Sequence, residues 1–375
     1  MDSYGLYIHI PFCKKKCRYC DFPSYDHIEY VIPSYIHALQ KEIKLIVLEY
    51  PNIKLKSIFI GGGTPTYMDS RYIKEIMETV GTYFTIEKDA EISIEGNPGT
   101  FDFKKLVDYR KAGINRLSMG LQAWQNDLLK KLGRIHTQEE FLKSFEAVKD
   151  VGFLNINIDL MFGLPNQSLE DWKETLDKVT ALKPNHLSCY SLIVEKGTPF
   201  YKMQNQGNLF LDEDLERQMY YYTKNYLKSK GYHHYEISNF SKPGFECKHN
   251  LIYWEMAPYI GVGAAAHSFT KNFRYANTQS VFKYIELLEK NILPIIDKNK
   301  ETQEYFMQEF MFLGMRKIKG VSQKKFYNLF GKSIHEVYGD VLKNLEDKQL
   351  IMIGENISLT AKGLDFANYV FRSFL

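Results

Sequence analysis

Along the chain, short apolar or alternating runs give way repeatedly to stretches of helical period. Leu6–Ile10 alternates over a short span and is a predicted strand, and helical periodicity follows from about Val31 to Leu48. Ser57–Ile60 is a second strand, ended by Gly61-Gly62-Gly63, and a helix over Arg71–Tyr83 follows with Ile73, Ile76, Met77 and Val80 on one face. The same order recurs for strands at Glu91–Glu95, Asn115–Met119, Asn155–Met161 and His186–Leu192. Their predicted helices are Phe103–Ala112, Glu139–Val151, Leu169–Leu182 and Glu213–Ser229. Strands alternating with helices imply a parallel sheet with right-handed crossovers.

The strand faces say more. Ile92 and Ile94 oppose Glu91, Ser93 and Glu95, and Ile156, Ile158 and Leu160 oppose Asn155, Asn157 and Asp159. A parallel strand covered by helices on both faces is apolar on both. One polar face therefore suits a barrel wall, with helices outside and a polar lumen inside. Six strand–helix units do not close an eight-unit barrel. The expected fold is a partial (β/α)6 TIM-like barrel, open at one side, with its active loops after the strand C-termini.

The barrel is expected over residues 1–236 and a connecting region over 237–299, holding the small-residue run Gly261–Ala266 and His267. Residues 300–375 read as a mainly helical, winged-helix-like domain: helices at Glu304–Met315 and Val337–Lys348, strands at Leu350–Ile353 and Asn356–Leu359, and a closing helix from Ala361.

Composition adds limits. The 375 residues carry a formal net charge of only +3, so there is no electrostatic case for a nucleic-acid partner. No apolar run is long enough to span a bilayer, and the start Met1-Asp2-Ser3-Tyr4 lacks the pattern of a signal peptide. A cytoplasmic protein is the expectation. The 15% aromatic content, 27 Tyr and 25 Phe, suits either a well-filled core or a flat organic ligand.

Three of the five cysteines lie together in Cys13-Lys14-Lys15-Lys16-Cys17-Arg18-Tyr19-Cys20, directly after the first strand. Thiolates are the natural ligands of iron–sulfur clusters, and a cubane takes four. Three at short spacing leave one iron open for another ligand, and the surrounding cations offset the thiolate charge. A structural zinc knot completed elsewhere in the chain is the alternative. Gly61–Gly63 lets a ligand approach the backbone, or makes a tight turn. Glu95 suits a ribose or amino group, or a rim ion pair.

Cys-x-x-x-Cys-x-x-Cys after a first strand resembles the signature of the radical S-adenosylmethionine (SAM) superfamily. Tyr7-Ile8-His9-Ile10-Pro11-Phe12-Cys13, Gly61-Gly62-Gly63-Thr64-Pro65-Thr66 and Leu117-Ser118-Met119-Gly120-Leu121-Gln122 resemble one branch of it, the oxygen-independent coproporphyrinogen III oxidase (HemN) family. The resemblance implies a [4Fe–4S] cluster on Cys13, Cys17 and Cys20, with SAM chelating the open iron and an electron donor supplying the cluster. It also implies that Tyr7, Tyr19, Gly62, Gly63, Thr64, Glu95, Gln122, Arg134 and Asp159 contact SAM.

Two features are closer to the HemW-type heme chaperones within that family. Phe22 stands where the oxidases carry a further cysteine, and Cys247-Lys248-His249-Asn250-Leu251-Ile252-Tyr253-Trp254 contains the His-Asn-x-x-Tyr-Trp run of the chaperones. The oxidases also have a longer N-terminal arm. The chaperone resemblance implies heme as cargo, a heme-acceptor protein, and His249 as a candidate axial ligand. Tyr253 and Trp254 could stack on a porphyrin. Read from the residues alone, His249 could equally be a histidine bonded at a domain junction, and Cys247 a plain buried thiol. Cys189 is explained by barrel packing, and His233 and His234 read as surface or turn residues. The rival expectations are decarboxylation of coproporphyrinogen III to protoporphyrinogen IX, radical chemistry on an unrelated substrate, and a zinc protein.

Overall fold

The computed structural model describes residues 3–270 and 273–375; Met1, Asp2, Lys271 and Asn272 lie outside the described residues. Strands β1 (Ser3–Ile10), β2 (Lys54–Gly62), β3 (Thr85–Gly96), β4 (Arg116–Gln122), β5 (Asn155–Phe162) and β6 (His186–Ser191) pair in chain order, all parallel. The expected helices lie between them, at Ile32–Glu49, Ser70–Tyr83, Phe103–Lys111, Gln138–Asp150 and Leu169–Ala181, with Glu213–Ser229 following β6. Local chemistry sets their starts: Thr137 with Glu140, and Ser168 with Asp171, form reciprocal capping boxes.

The expected division of faces holds. Ile92, Ile94, Ile156, Ile158 and Leu160 are buried in the main apolar core with the helices. The other face is polar and largely buried as well. Strand register brings Glu95 opposite Ser118, Ser118 opposite Asn157, and Asn157 opposite His186, a polar layer across four strands. Burial of polar groups demands partners. Asn157 Nδ2 donates to Ser118 Oγ at 2.7 Å and to Asp159 Oδ1 at 2.7 Å, and His186 Nδ1 lies 2.6 Å from Asn157 Oδ1.

The edges of the partial barrel are not bare. On one side β8 (Asn239–Ser241) pairs antiparallel with β6, and β7 (His233–Glu236) with β8. On the other, β9 (Tyr259–Val262) pairs parallel with β1, and β10 (His267–Thr270), β11 (Phe273–Asn277) and β12 (Ile295–Lys300) continue antiparallel. His233 and His234, read above as surface or turn residues, are thus in a strand. His233 is exposed, but His234 is half-buried, stacked on Phe240 at 4.4 Å.

The C-terminal part has its own apolar core, including Phe326, Ile334, Leu345 and Ile357. It contains helices Gln303–Gly314, Gln323–Phe330 and Ile334–Asp347 and a three-stranded antiparallel sheet. That sheet comprises β13 (Val321–Ser322), β14 (Ile351–Ile353) and β15 (Asn356–Leu359), with β15 central. Helices Ala361–Asp365 and Ala367–Arg372 close it. Ion pairs and main-chain hydrogen bonds tie it to the rest of the chain. Arg217 pairs with Asp365 at 3.1 Å, and Ile318 N–H donates to Tyr235 O at 3.1 Å along the free edge of β7.

Glu42, on the first helix, is buried and accepts from Gly263 N–H at 2.7 Å, Asn277 Nδ2 at 2.6 Å and the Tyr284 hydroxyl. It pins the β9–β12 extension to the barrel. Glu42→Ala removes the acceptor shared by three buried donors, of which Asn277 Nδ2 keeps the Gly263 carbonyl at 2.9 Å, and a cost of about 3 kcal/mol is expected in urea unfolding. Tyr284→Phe removes one donor and is expected to cost about 1 kcal/mol.

Candidate functional site

The loop after β1 is held in place before any ligand is considered. Cys13 N–H donates to Tyr25 O at 2.9 Å and Tyr25 N–H to Pro11 O at 2.8 Å, so residues 11–13 and 25 clasp each other. Arg18 N–H donates to Leu132 O at 3.0 Å, tying the same loop to the helix Asn126–Leu132. Lys16 Nζ turns back onto the Phe22 carbonyl at 2.9 Å. Cys13 is buried, and Cys17 and Cys20 are half-buried.

The glycine run after β2 comes up beside these thiols. Gly63 N–H donates to Ile10 O and Thr64 N–H to Phe12 O, each at 2.8 Å, which lays one loop on the other. A Cβ on Gly63 would stand 2.7 Å from Phe12 O and 3.0 Å from Cys13 Sγ. Gly62 has φ +114°, and a Cβ there would run into the His9 ring at 2.5 Å. Thus the run is more than a turn: its lack of side chains makes the close contact between the two loops possible.

Cys13, Cys17 and Cys20 open onto one cavity of about 140 Å³, lined also by Gly62, Gly63, Thr64, Glu95, Gln122, Arg134, Asp159 and Tyr19. Eight of the nine residues expected around SAM therefore share a cavity with the three thiols. The ninth, Tyr7, lies in an adjoining cavity of about 340 Å³, which shares Gly62, Glu95 and Asp159. The Tyr7 hydroxyl is 2.9 Å from His9 Nδ1.

The electrostatics of the cavity follow from burial and a few partners. Burial raises the Cys13 and Cys20 thiols above their ordinary value, opposed at Cys13 by the Thr64 hydroxyl. Arg134 Nη1 donates to Cys17 Sγ at 3.6 Å, and Nη2 donates to Gly120 O at 2.5 Å and to Asn97 Oδ1. Burial works against the Arg134 charge, but Tyr19 and Cys17 beside it hold the guanidinium above its ordinary value. Glu95 Oε2 accepts the Gly62 N–H at 3.0 Å. Burial first, and Asp159 second, push its carboxyl up to about 8. Asp159 accepts from Ser118 Oγ at 3.0 Å.

Gln122 sits at the end of β4 with φ +77°, an uncommon backbone conformation for a residue with a side chain. Its Oε1 accepts from the Tyr190 hydroxyl at 2.8 Å. Non-glycine residues held there cluster at ligand sites.

Among the described residues, no three His, Cys, Asp or Glu side chains are placed to hold a single ion. The three thiols instead border a shared cavity with an arginine, a hydroxyl and close-packed glycines around it. That donor set fits a group several atoms across bound through separate thiolates. A buried guanidinium and Lys16 are on hand to balance the charge.

Sequence reasoning missed Asn97, Ser118 and Tyr190, which line the same cavity. Asn97 joins Arg134 to Thr64, donating to Thr64 Oγ1 at 2.8 Å. Its signal was present, two residues beyond Glu95 at the end of a strand with a polar face.

The His-Asn-x-x-Tyr-Trp run forms a short helix, Lys248–Trp254, across the other end of the lumen. Glu91 holds its start: Oε2 accepts Lys248 N–H at 3.1 Å, and Oε1 accepts His249 N–H at 3.2 Å and the Cys247 thiol at 3.4 Å. His249 is buried. Its Nδ1 lies 2.8 Å from Ser57 Oγ and its Nε2 2.8 Å from the Tyr253 hydroxyl, so both ring nitrogens have partners. Burial, reinforced by Arg116, lowers the imidazole to about 3. Both His249 and Tyr253 line the 340 Å³ cavity with Tyr7. Leu251 and Trp254 line a different one, on the other side of the helix.

The geometry has parallels in known proteins. Residues 7–179 match the family model of the radical SAM superfamily, and residues 302–366 that of the HemN C-terminal domain. The chain is 40% identical over 374 residues to the heme chaperone HemW of Bacillus subtilis (strain 168), covering 99% of each chain. It is 38% identical to heme chaperone HemW of Escherichia coli (strain K12), over 70% of this chain and 69% of that one. Among solved structures, coproporphyrinogen III oxidase (HemN) from Escherichia coli, described as a radical SAM enzyme, superposes with a TM-score of 0.87. The superposition covers 100% of this chain and 90% of that one, and at 23% identity it shows the shared fold. On the strength of the full-length match, the chain belongs to the HemW heme chaperone family.

Proposed function

We propose that this protein binds heme and passes it to acceptor proteins, with a [4Fe–4S] cluster and SAM bound at the barrel mouth. The observation that carries this reading is the match to the Bacillus subtilis heme chaperone HemW along 99% of both chains. In this reading Cys13, Cys17 and Cys20 hold the cluster. SAM lies among Tyr19, Gly62, Gly63, Thr64, Glu95, Gln122, Arg134 and Asp159, with Tyr7 at the adjoining cavity. When bound, the cluster supplies an open iron and a single electron, which an electron-donor protein replenishes. The chain's own residues do the rest. Arg134 holds Cys17 and the β4 loop together, the glycine run keeps side chains out of the ligand's way, and Glu95 holds or releases a proton.

The reading divides the chain into a barrel over 1–236, a connection over 237–299 and a C-terminal domain over 300–375. A cytoplasmic location accompanies the reading. No helix among the described residues is long and apolar enough to cross a membrane.

The second reading, decarboxylation of coproporphyrinogen III, draws on the fold shared with the Escherichia coli oxidase. Against it stands Phe22, at the place where the oxidase family carries a further cysteine. Phe22 is exposed and borders both the thiol cavity and the adjoining one.

An anaerobic heme titration of the cluster-reconstituted full chain tests the chaperone reading. Saturable, stoichiometric binding is expected, and no formation of protoporphyrinogen from coproporphyrinogen III under reducing conditions with SAM. Absence of specific binding, or appearance of that product, would reverse the preference. His249→Ala is the companion variant: His249 can ligate iron only by giving up Ser57 or Tyr253, and weakened binding with an altered heme spectrum would assign it that role.

Glu95 makes the SAM site pH-sensitive. A carboxyl at about 8 is largely protonated near neutrality, and a ligand carrying ammonium and sulfonium charge favours its ionised form. SAM affinity is expected to rise with pH to about 8 and then level off, with proton release on binding below that point. Calorimetry in buffers of different ionisation heat reads this directly. In Glu95→Gln the affinity is expected to be weaker and the rise absent; a parallel rise in the variant would show that another group is responsible.

A further inference from the structure

A cavity larger than the one at the thiols lies elsewhere in the chain. It occupies about 660 Å³ at the seam between β7, the helix Lys248–Trp254 and the C-terminal domain. Its volume lies in the range that takes a drug-sized organic ligand. Four of its features point to one kind of occupant.

The first is charge. Lys317, Lys319 and Lys325 all line it. Glu255 is their near partner, 3.8 Å from Lys317 Nζ, while Lys325 Nζ donates to the Glu255 main-chain carbonyl at 3.1 Å. Glu246 is the other acidic group in the lining. Burial lowers the Lys317 ammonium, Glu255 opposes this, and Lys325 and Lys319 add to the lowering. Three crowded ammonium groups against two carboxylates leave a positive excess that favours an anionic ligand.

The second is an aromatic lining. Trp254, Tyr235 and Phe310 line the cavity. The Arg316 guanidinium covers one face of the Trp254 ring at 4.7 Å, and the indole Nε1–H is buried without a hydrogen-bond partner. The third is an uncommitted imidazole. His233 is exposed and lines the cavity, and its ring has no hydrogen-bond partner among the described residues, unlike His234 and His249. The fourth is a fixed frame. Ile237 N–H donates to Arg316 O at 3.1 Å and Ile318 N–H to Tyr235 O at 3.1 Å, so the lysine-bearing segment is stitched to the histidine-bearing strand.

A flat apolar ring with carboxylates on one edge and a metal wanting a nitrogen ligand matches all four. We propose that heme docks in this seam cavity, its propionates paired with Lys317 and Lys325, its ring against Trp254, and its iron ligated by His233. The assignment rests on the heme-binding reading above and adds the place and the ligand. It also gives the two faces of the Lys248–Trp254 helix different tasks. The His249–Tyr253 face closes the barrel lumen, and the Leu251–Trp254 face borders the heme.

The test uses the reconstituted full chain and ferric heme, followed by absorbance, beside heme dimethyl ester and iron-free protoporphyrin IX. For wild type the ester, which lacks the propionate charges, is expected to bind about tenfold more weakly than heme. Lys317→Glu/Lys325→Glu is expected to lose about tenfold for heme and protoporphyrin alike. His233→Ala is expected to change the heme spectrum and weaken heme, with protoporphyrin unaffected, while His249→Ala leaves the heme spectrum as in wild type. Iron content and circular dichroism check that each variant is folded, and the ester comparison reads the charge requirement without any variant. Wild type binding heme, with the ester, the lysine variant and His233→Ala all indistinguishable from it, overturns the site and leaves the chaperone reading standing. Wild type failing to bind heme overturns both.

Discussion

A carboxylate buried in the barrel wall organises the lower half of the lumen. Glu91 begins the polar face of β3 and bonds the first two N–H groups of the Lys248–Trp254 helix and the Cys247 thiol. Arg116, on the next strand and almost wholly buried, lies 4.0 Å from it. A buried pair of this kind contributes little net stability, but each partner would be costly to leave alone. The helix therefore sits where the pair is, across the lumen, and everything attached to that helix is placed by it.

That placement separates two environments. Above the helix the lumen is polar, and Ser118, Asn157, Asp159, His186 and Ser188 bond to one another. His186 reaches from this network to the Tyr235 hydroxyl at 2.7 Å, and Tyr235 accepts the Cys247 N–H at 3.2 Å through the same hydroxyl. Below the helix Tyr235 lines the seam cavity with its lysines. One side chain thus touches both the barrel network and the seam. The polar layers cannot shift singly, because each member is donor or acceptor to the next.

How much of this was legible follows from the range of the interactions involved. The six barrel strands were readable because alternation is local, and the polar faces of β3 and β5 announced a filled lumen. The thiol site was readable because its residues lie at strand ends, where chain order already predicts proximity. Asn97 was missed although it obeys the same logic, since nothing in its neighbourhood distinguishes a bridging amide from a turn residue before Pro98. The edge extensions were not readable. β9 pairs with β1 across some 250 residues of sequence, and its Gly261–Ala266 continuation carries no strand period. The Lys248–Trp254 helix, at seven residues, is too short to show a period at all.

The same limit explains why a single motif was read as a single site. His249, Tyr253 and Trp254 stand close in sequence, and proximity invites one ligand for all three. On a helix, residues 249 and 253 share a face one turn apart, as do 251 and 254 on another. Burial then decides what each face does. The His249 ring, sealed between Ser57 and Tyr253 and stacked on Phe59 at 5.2 Å, is spent on holding the helix to the barrel. Trp254, with one face against Arg316 and an unpaired N–H, is not spent. A histidine bonded to the barrel and an indole bordering the seam cavity stand in one short run because the helix lies between two cavities, and on the seam proposal the two need no shared ligand.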